Sequence, residues 1–411
     1  MNRRRVKILR SIHSLNPATG GPLESIKQSS VALAARGHKV EIVCLDAPDA
    51  SWLRDFPVTV HALGSGGSYG YTPRLIPWVK NRHREFDAVI VHGLWLYNGF
   101  GVWRALRGTK TPYFLLLHGM LDPWFKRAYP LKHLKKMLYW LVIEHRLMRD
   151  AAAVLFTSEE ERRLAHGSYR PYHANEIVVN YGTAAPDLDL ARAREDFLNA
   201  YPDLRDEHVL LFLGRLHEKK GCDLLINAFA QVFSQKFPAW APQTAGELRA
   251  EVALARAPQP LRLVIVGPCA DERYLLALKE QAAKSAAPIT FTGMLSGNLK
   301  WGAFAAADAF VLPSHQENFG IAVAEALTCG VPVLISSKVN IRREIEQAGA
   351  GYVENDDLAG TRRLLERWLA TSEQDRQAMR ANAKKCFAEH FEINRATDSL
   401  LSVLQRFVSP K

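Results

Sequence analysis

Short runs of aliphatic and β-branched residues alternate along the chain with longer stretches in which apolar positions recur every three or four residues. A short apolar run bounded by turn residues predicts a buried strand, and the three-to-four spacing predicts a helix with one apolar face. Their alternation predicts parallel sheets joined by crossover helices. In the first half, strands are expected over 6–12, 40–45, 88–92, 113–117, 153–157 and 177–179. In the second half they are expected over 209–213, 261–266, 289–291, 309–312 and 331–335. A Pro-, Asp- and Gly-containing stretch at 182–189 separates the two sets and predicts a linker. The expected division is an N-terminal α/β domain over 1–185, a C-terminal α/β domain over 186–387 and a final helical segment, 388–411, packing back on the first domain. An Ala- and Pro-rich stretch at 240–260 interrupts the second domain and is read as a surface insertion.

The 411 residues are 48% hydrophobic and 23% charged, ordinary values that exclude a collagenous or disordered chain. No apolar run approaches the roughly 20 residues that cross a bilayer. Lys7 and Arg10 break up the apolar segment behind the basic N-terminus, so the expected address is cytoplasmic. The five cysteines lie far apart, with no C-x-x-C pair, and predict neither a disulfide framework nor a zinc site. Charge changes the picture more. The net charge is +11, and residues 1–190 carry 26 Lys and Arg against 16 Asp and Glu. The first half therefore expects an acidic partner: nucleic acid, anionic lipid or a phosphorylated acceptor.

Candidate chemistry sits where strands end. After the first strand come Gly20 and Gly21, which let a backbone approach an anion at a helix N-terminus. Alone, the pair reads more readily as a plain flexible turn. No G-x-G-x-x-G follows a strand, which removes the main support for a nicotinamide or flavin enzyme. In the second half a strand ends in Gly214-Arg215-Leu216-His217-Glu218-Lys219-Lys220-Gly221. Arg215 and Lys220 could grip a diphosphate from two sides, or form a solvated basic turn. The richest stretch is Ser314 to Ala326. Glu317 lies in a loop before a helix, and Glu325 lies one and a half turns into it among apolar neighbours. Backbone amides from Asn318 through Phe319 and Gly320 to Ile321 suit a phosphate, and the two carboxylates suit sugar hydroxyls. A buried Glu325 needs hydrogen-bonding partners, which ligand hydroxyls would supply.

Glu317 and Glu325 together resemble the E-x7-E element of family 4 glycosyltransferases, retaining nucleotide-sugar-dependent enzymes with the GT-B fold. The G-R-x4-K-G run at 214–221, the V-G-P after the strand at 261–266, the F-T-G at 291–293 and the A-L-x-C-G-V-P-V after Glu325 fit the same family in the same order. Nearly the whole chain is covered, and the closest likeness is to bacterial enzymes that build exopolysaccharide, capsule or lipopolysaccharide. The resemblance implies two Rossmann-like domains whose parallel sheets face each other across a cleft. It implies that Gly20 and Gly21 approach the donor phosphates, that Arg215 and Lys220 bind the diphosphate, and that Gly293 lies beside the base. Glu317 would hold a hydroxyl of the transferred sugar, Glu325 the ribose, and His118 would act as the active-site histidine against that sugar. The usual E-P/G-F-G is Glu317-Asn318-Phe319-Gly320 here, and the usual N-G-V-D is Asn180-Tyr181-Gly182-Thr183.

The implied reaction moves a hexose from a UDP- or GDP-sugar to a glycan or polyprenyl-diphosphate-linked acceptor, with no cofactor and no metal. An epimerase on the same fold would need acid and base groups that this carboxylate context does not provide. A nucleic-acid-binding protein would need a zinc, helix-turn-helix or aromatic RNA-binding signature, and none is found. The stretch 124–149 carries seven basic residues against the single acid Glu144, interleaved with Trp124, Phe125, Tyr129, Trp140 and several leucines. This pattern suits an anionic membrane surface at the headgroup boundary, and the protein is expected on the inner face of the plasma membrane. The competing expectation is a helix whose apolar run, 138–143, packs into the core.

Overall fold

The structure, a computed structural model, describes residues 5–17, 21–64, 67–236 and 261–408. The expected insertion at 240–260 and Gly20 lie outside the described residues. The chain forms two compact units, Met1–Ala184 with Phe391–Lys411, and Ala185–His390.

The first unit is built on seven parallel strands: β1 (Lys7–Ile12), β2 (Lys39–Cys44), β3 (Thr59–Ala62), β4 (Ala88–His92), β5 (Tyr113–Leu116), β6 (Ala153–Phe156) and β7 (Glu176–Val178). Their order across the sheet is β3-β2-β1-β4-β5-β6-β7. Successive residues of the central strands serve opposite faces, as strand geometry requires. Leu9, Val89, Val91, Leu115 and Val154 join one buried cluster with Trp140 and Trp103. Ile8, Ile90, Phe114, Leu116 and Leu155 join the other, which the C-terminal helix Ile393–Phe407 completes through Leu400, Leu401, Val403 and Leu404. Strands buried on both faces read as continuous apolar runs, which is why these were visible in sequence. The helix is further held by Arg36 to Asp398 at 3.3 Å and by the edge-on rings of Phe114 and Phe407. The chain enters and leaves this unit side by side, since Thr183 N donates to Phe391 O and Ile393 N donates to Thr183 O. The stretch read as a linker is therefore solid at its start, where Thr183 is fully buried.

The second unit carries six parallel strands: β8 (His208–Leu213), β9 (Leu261–Val266), β10 (Ile289–Gly293), β11 (Ala309–Leu312), β12 (Val333–Ser336) and β13 (Gly351–Glu354), in the order β10-β9-β8-β11-β12-β13. Two strands were not expected from sequence, β3 and β13. Both are edge strands with no fully buried residue, so neither carries an apolar run.

In each sheet the strand order reverses at one point, between β1 and β4 and between β8 and β11. Loops leaving the carboxyl ends of strands on either side of such a reversal diverge, and the crevice between them is where open α/β sheets bind ligands. The stretch 124–149 breaks into the helices Trp124–Ala128 and Pro130–Tyr139, a π-helical turn Trp140–Glu144 and the helix His145–Asp150. Of the run at 138–143 only Trp140 is fully buried. Leu131, Leu134, Leu138, Leu141 and Val142 form a stripe exposed by 44 to 83%, so the expectation of a core-packed run is not what the structure contains. No described helix is long and apolar enough to cross a membrane.

Candidate active site

In the second unit the reversal point is flanked by the loops after β8 and β11, and these carry the candidate residues. Strand β8 runs into a 3-10 turn, Glu218–Lys220, capped by the His217 ring, which accepts from Lys219 N. Gly221 ends the turn at φ +66°, and a Cβ there would lie 2.4 Å from the Pro313 carbonyl oxygen, so only glycine lets the two loops meet. The meeting is also tied by His315 N, which donates to Lys219 O. The consequence is a contact that sequence reasoning did not foresee: Lys220 Nζ donates directly to Glu317 Oε2, with both side chains largely buried. Burial, with Lys219 and Arg215 nearby, pushes the Lys220 ammonium down toward about 7, and the Glu317 carboxylate against it opposes that loss of charge. Arg215 stands exposed at the carboxyl end of β8 with no ion pair among the described residues.

Glu317 is held by its backbone as well. Its N–H donates to Lys338 O, and its carbonyl accepts from Asn340 N. Asn340 also donates from its side chain to Asn318 Oδ1 at 3.2 Å. Gly320, at φ +74°, turns the chain into the helix Ile321–Thr328, with Phe319 buried beneath it. Glu325 lies on that helix, 3% exposed, where it accepts from Lys300 Nζ at 2.6 Å. The partner that the buried carboxylate required is thus already in the protein. Lys300 sits on a different helix, Gly297–Ala306, and nothing in the local pattern around Glu325 pointed to it. Gly293 ends β10 at φ +73°, exposed.

In the first unit Gly21 is the first residue of the helix Gly21–Ala35, and His118 follows β5. His118 adopts φ +53°, a left-handed conformation that costs a residue with a side chain about 1–3 kcal/mol and clusters at functional positions. Its Nε2 shares a proton with His92 Nδ1 at 3.0 Å, the two rings stack at 5.3 Å, and Tyr181 meets His118 edge-on. Gly119 N donates to the buried Glu161 carboxylate at 2.6 Å, which fixes the turn. His92 was missed in sequence, although it ends β4 after an apolar run just as His118 ends the run of β5. Burial pushes His118 down to about 3, with the Arg10 guanidinium adding to the effect, and holds His92 well below its ordinary value. Both imidazoles are therefore neutral at physiological pH. One donates to the other, and His118 acts as a hydrogen-bonding group rather than a cation.

With this geometry in place, two family models match the chain: "Glycosyl transferases group 1" over residues 194–386 and "Glycosyl transferase 4-like domain" over residues 20–182. The chain belongs to the group 1 glycosyltransferases, and its pair of parallel sheets is the GT-B fold. Among curated proteins it is similar to a GDP-mannose-dependent alpha-(1-6)-phosphatidylinositol dimannoside mannosyltransferase of Mycobacterium tuberculosis, 25% identical over 97% of this chain and 96% of that one. It is also similar to a D-inositol 3-phosphate glycosyltransferase of Jonesia denitrificans, 24% identical over 77% of this chain and 71% of that one. Among solved structures it resembles Anabaena HepE in complex with UDP-glucose, with a TM-score of 0.71 at 18% identity over 98% of this chain and all of that one. Sucrose-phosphate synthase from Thermosynechococcus elongatus gives a TM-score of 0.72 at 20% identity over 98% of this chain and 99% of that one.

The neutral histidine pair has a consequence for stability. A group whose pKa lies lower in the folded than in the unfolded chain leaves the unfolded chain binding more protons between the two values. For His118 that window runs from about 6.5 down to about 3, so its contribution makes stability fall as pH falls through it. Urea unfolding at pH 7, 6 and 5 should show His118→Asn losing less stability on acidification than wild type. The difference should approach about 1.4 kcal/mol per pH unit well below 6.5. Equal slopes would show that His118 titrates normally.

Proposed function

We propose that the protein is a retaining hexosyltransferase that uses a UDP- or GDP-sugar and a glycan or polyprenyl-diphosphate-linked acceptor in the synthesis of bacterial surface polysaccharide. The observation that carries this reading is the Lys220–Glu317 pair at the reversal point of the second sheet, beside the start of the helix that bears Glu325. Loss of a nucleoside diphosphate develops negative charge on the departing phosphate. Fixed cations and helix N-terminal amides lower that barrier without a metal ion. Arg215 and Lys220 supply the cations, and the amides from Asn318 to Ile321 supply the dipoles.

In this reading the donor diphosphate takes the Lys220 ammonium from Glu317, and the released carboxylate accepts from a hydroxyl of the transferred sugar. Glu325, oriented by Lys300, accepts from the ribose, and Gly293 leaves room for the base. Neutral His118 hydrogen-bonds the transferred sugar, and Gly20 and Gly21 approach the phosphates. The acceptor hydroxyl attacks the face from which the diphosphate departs, and a phosphate oxygen takes its proton, so no separate base is assigned. The relatives support both donor bases, since one is named as GDP-mannose-dependent and another is seen with UDP-glucose.

The exposed stripe Leu131, Leu134, Leu138, Leu141 and Val142 runs beside the exposed cations Lys126, Arg127, Lys132 and Lys135. An apolar stripe edged by lysines fits an anionic lipid surface, where each cation contributes about 1 kcal/mol. We assign the protein to the cytoplasmic face of the membrane through this surface, where a lipid-linked acceptor would be presented.

Two measurements test these roles. Glu317→Gln should lower turnover roughly 10- to 100-fold, the worth of one charge-assisted hydrogen bond, without weakening free nucleoside diphosphate, which no longer has to displace a carboxylate from Lys220. Glu325→Gln should weaken the free nucleotide instead, and the reverse pattern would exchange the two assignments. In flotation, the protein should bind phosphatidylglycerol vesicles at low salt and release them as salt rises. Changing Lys132 and Lys135 to Glu should abolish binding. Wild-type protein that stays off the vesicles at low salt would refute the docking surface.

A further inference from the structure

Three costly features meet behind the amphipathic stretch of the first unit. Trp95 follows β4 at the reversal point of that sheet, just past His92, and adopts φ +72°. A residue with a side chain is strained there, and such outliers gather at working positions. Glu144, 2% exposed, holds the turn: its Oε1 accepts from Trp95 N at 2.5 Å, while its Oε2 has no hydrogen-bond partner among the described residues. Glu144 also closes the π-helical turn Trp140–Glu144, and turns of this kind recur at functional sites. None of the three is used by the roles assigned above.

What they hold is Lys136. Its Nζ lies 4.7 Å from the centre of the Trp95 ring, which is packed in turn by Tyr169 at 5.0 Å and Trp140 at 6.1 Å. The next aromatic residue on the helix, Tyr139, is tied through its hydroxyl to that of Tyr69 at 2.8 Å. Lys136 is half-buried, whereas Lys132 and Lys135 on the same helix are exposed. Its ammonium makes no hydrogen bond or ion pair among the described residues, yet the nitrogen stays open to solvent. Glu144 offsets its charge only in part, since burial raises that carboxyl to about 7 and leaves it about half ionised at neutral pH. A half-buried ammonium seated on an indole face, with open donors and no acceptor, calls for an anion from outside.

We propose that Lys136 binds a phosphate oxygen of the diphosphate that joins the acceptor's sugar to its polyprenyl chain. Trp95 and Glu144 are positioning residues that hold the lysine in place. The inference rests on the acceptor reading given above and narrows it to an acceptor that bears a diphosphate. The placement of the lysine agrees with that chemistry. The exposed stripe from Leu131 to Val142, where the lipid chain would lie, belongs to the same stretch of chain as Lys136. The loop beneath its ammonium leads back to His92 and so to His118, where the sugars are expected.

Geranyl diphosphate, a soluble short-chain compound without a sugar, tests this with no donor present. Calorimetry uses the Arg215→Ala, Lys220→Ala protein as background, so that the diphosphate site assigned to the second unit does not compete. Geranyl diphosphate should bind, and Lys136→Gln should weaken it roughly 10- to 100-fold. Lys132→Gln, an exposed change one turn away, should alter it by less than about twofold. Inorganic pyrophosphate should bind roughly tenfold more weakly or worse, because it lacks the chain that lies on the stripe. Lys136→Gln should still float with phosphatidylglycerol vesicles. No binding of geranyl diphosphate would overturn the proposal, as would an equal loss in Lys132→Gln, which marks general surface charge. Equal binding of pyrophosphate would also overturn it in favour of a free-anion site, and loss of flotation would reassign Lys136 to lipid headgroups. All of these results leave the donor assignment standing.

Discussion

A largely buried lysine and a largely buried glutamate from two different loops, Lys220 and Glu317, hold the strand ends at the reversal point of the second unit together. Each charge would be costly alone, and each is made tolerable by the other. The contact requires the loop after β8 to lie against the loop after β11, which in turn requires a glycine at 221 beneath the Pro313 carbonyl. It also requires Glu317 to be held by the segment 338–340 beyond β12. Three strand ends are therefore committed to the placement of two side chains. A polyanion that binds the lysine also alters the surroundings of the glutamate, which links donor binding to the carboxylate assigned to the sugar.

A second pair, Glu325 with Lys300, repeats the arrangement one and a half turns along the helix. Both glutamates of the E-x7-E element thus have a lysine partner within the same unit. The first unit works differently. Its candidate histidine is kept neutral by burial and by the cation Arg10, and is held in a left-handed conformation by the turn that Glu161 ties down. One unit presents paired charges, and the other presents an uncharged hydrogen-bonding group over a buried cation.

Much of this was legible in the chain itself. Central strands buried on both faces, such as β4 and β5, declare themselves as unbroken apolar runs, whereas the half-exposed edge strands β3 and β13 do not. The loops bearing Arg215, Lys220 and Glu317 were placed correctly at strand ends, and Glu325 in the helix that follows, because Gly and Pro punctuate the chain there. What sequence could not show is who meets whom. Lys220 and Glu317 are 97 residues apart, and Lys300 reaches Glu325 from another helix. The stripe from Leu131 to Val142 was ambiguous for the same reason, since an amphipathic pattern does not say which side the core lies on. Only packing shows that Trp140 turns inward while the leucines remain outside.

We propose that Arg215 and Lys220 hold the diphosphate of a nucleotide-sugar donor. Titration calorimetry of UDP and GDP against wild-type protein and the double variant Arg215→Ala, Lys220→Ala tests it most directly. One of the two nucleotides should bind the wild type, and the double variant should bind it roughly 100- to 1,000-fold more weakly while keeping its circular dichroism spectrum, since two charge-assisted contacts are lost. Unchanged affinity in a folded double variant would show that the diphosphate does not rest on these two side chains.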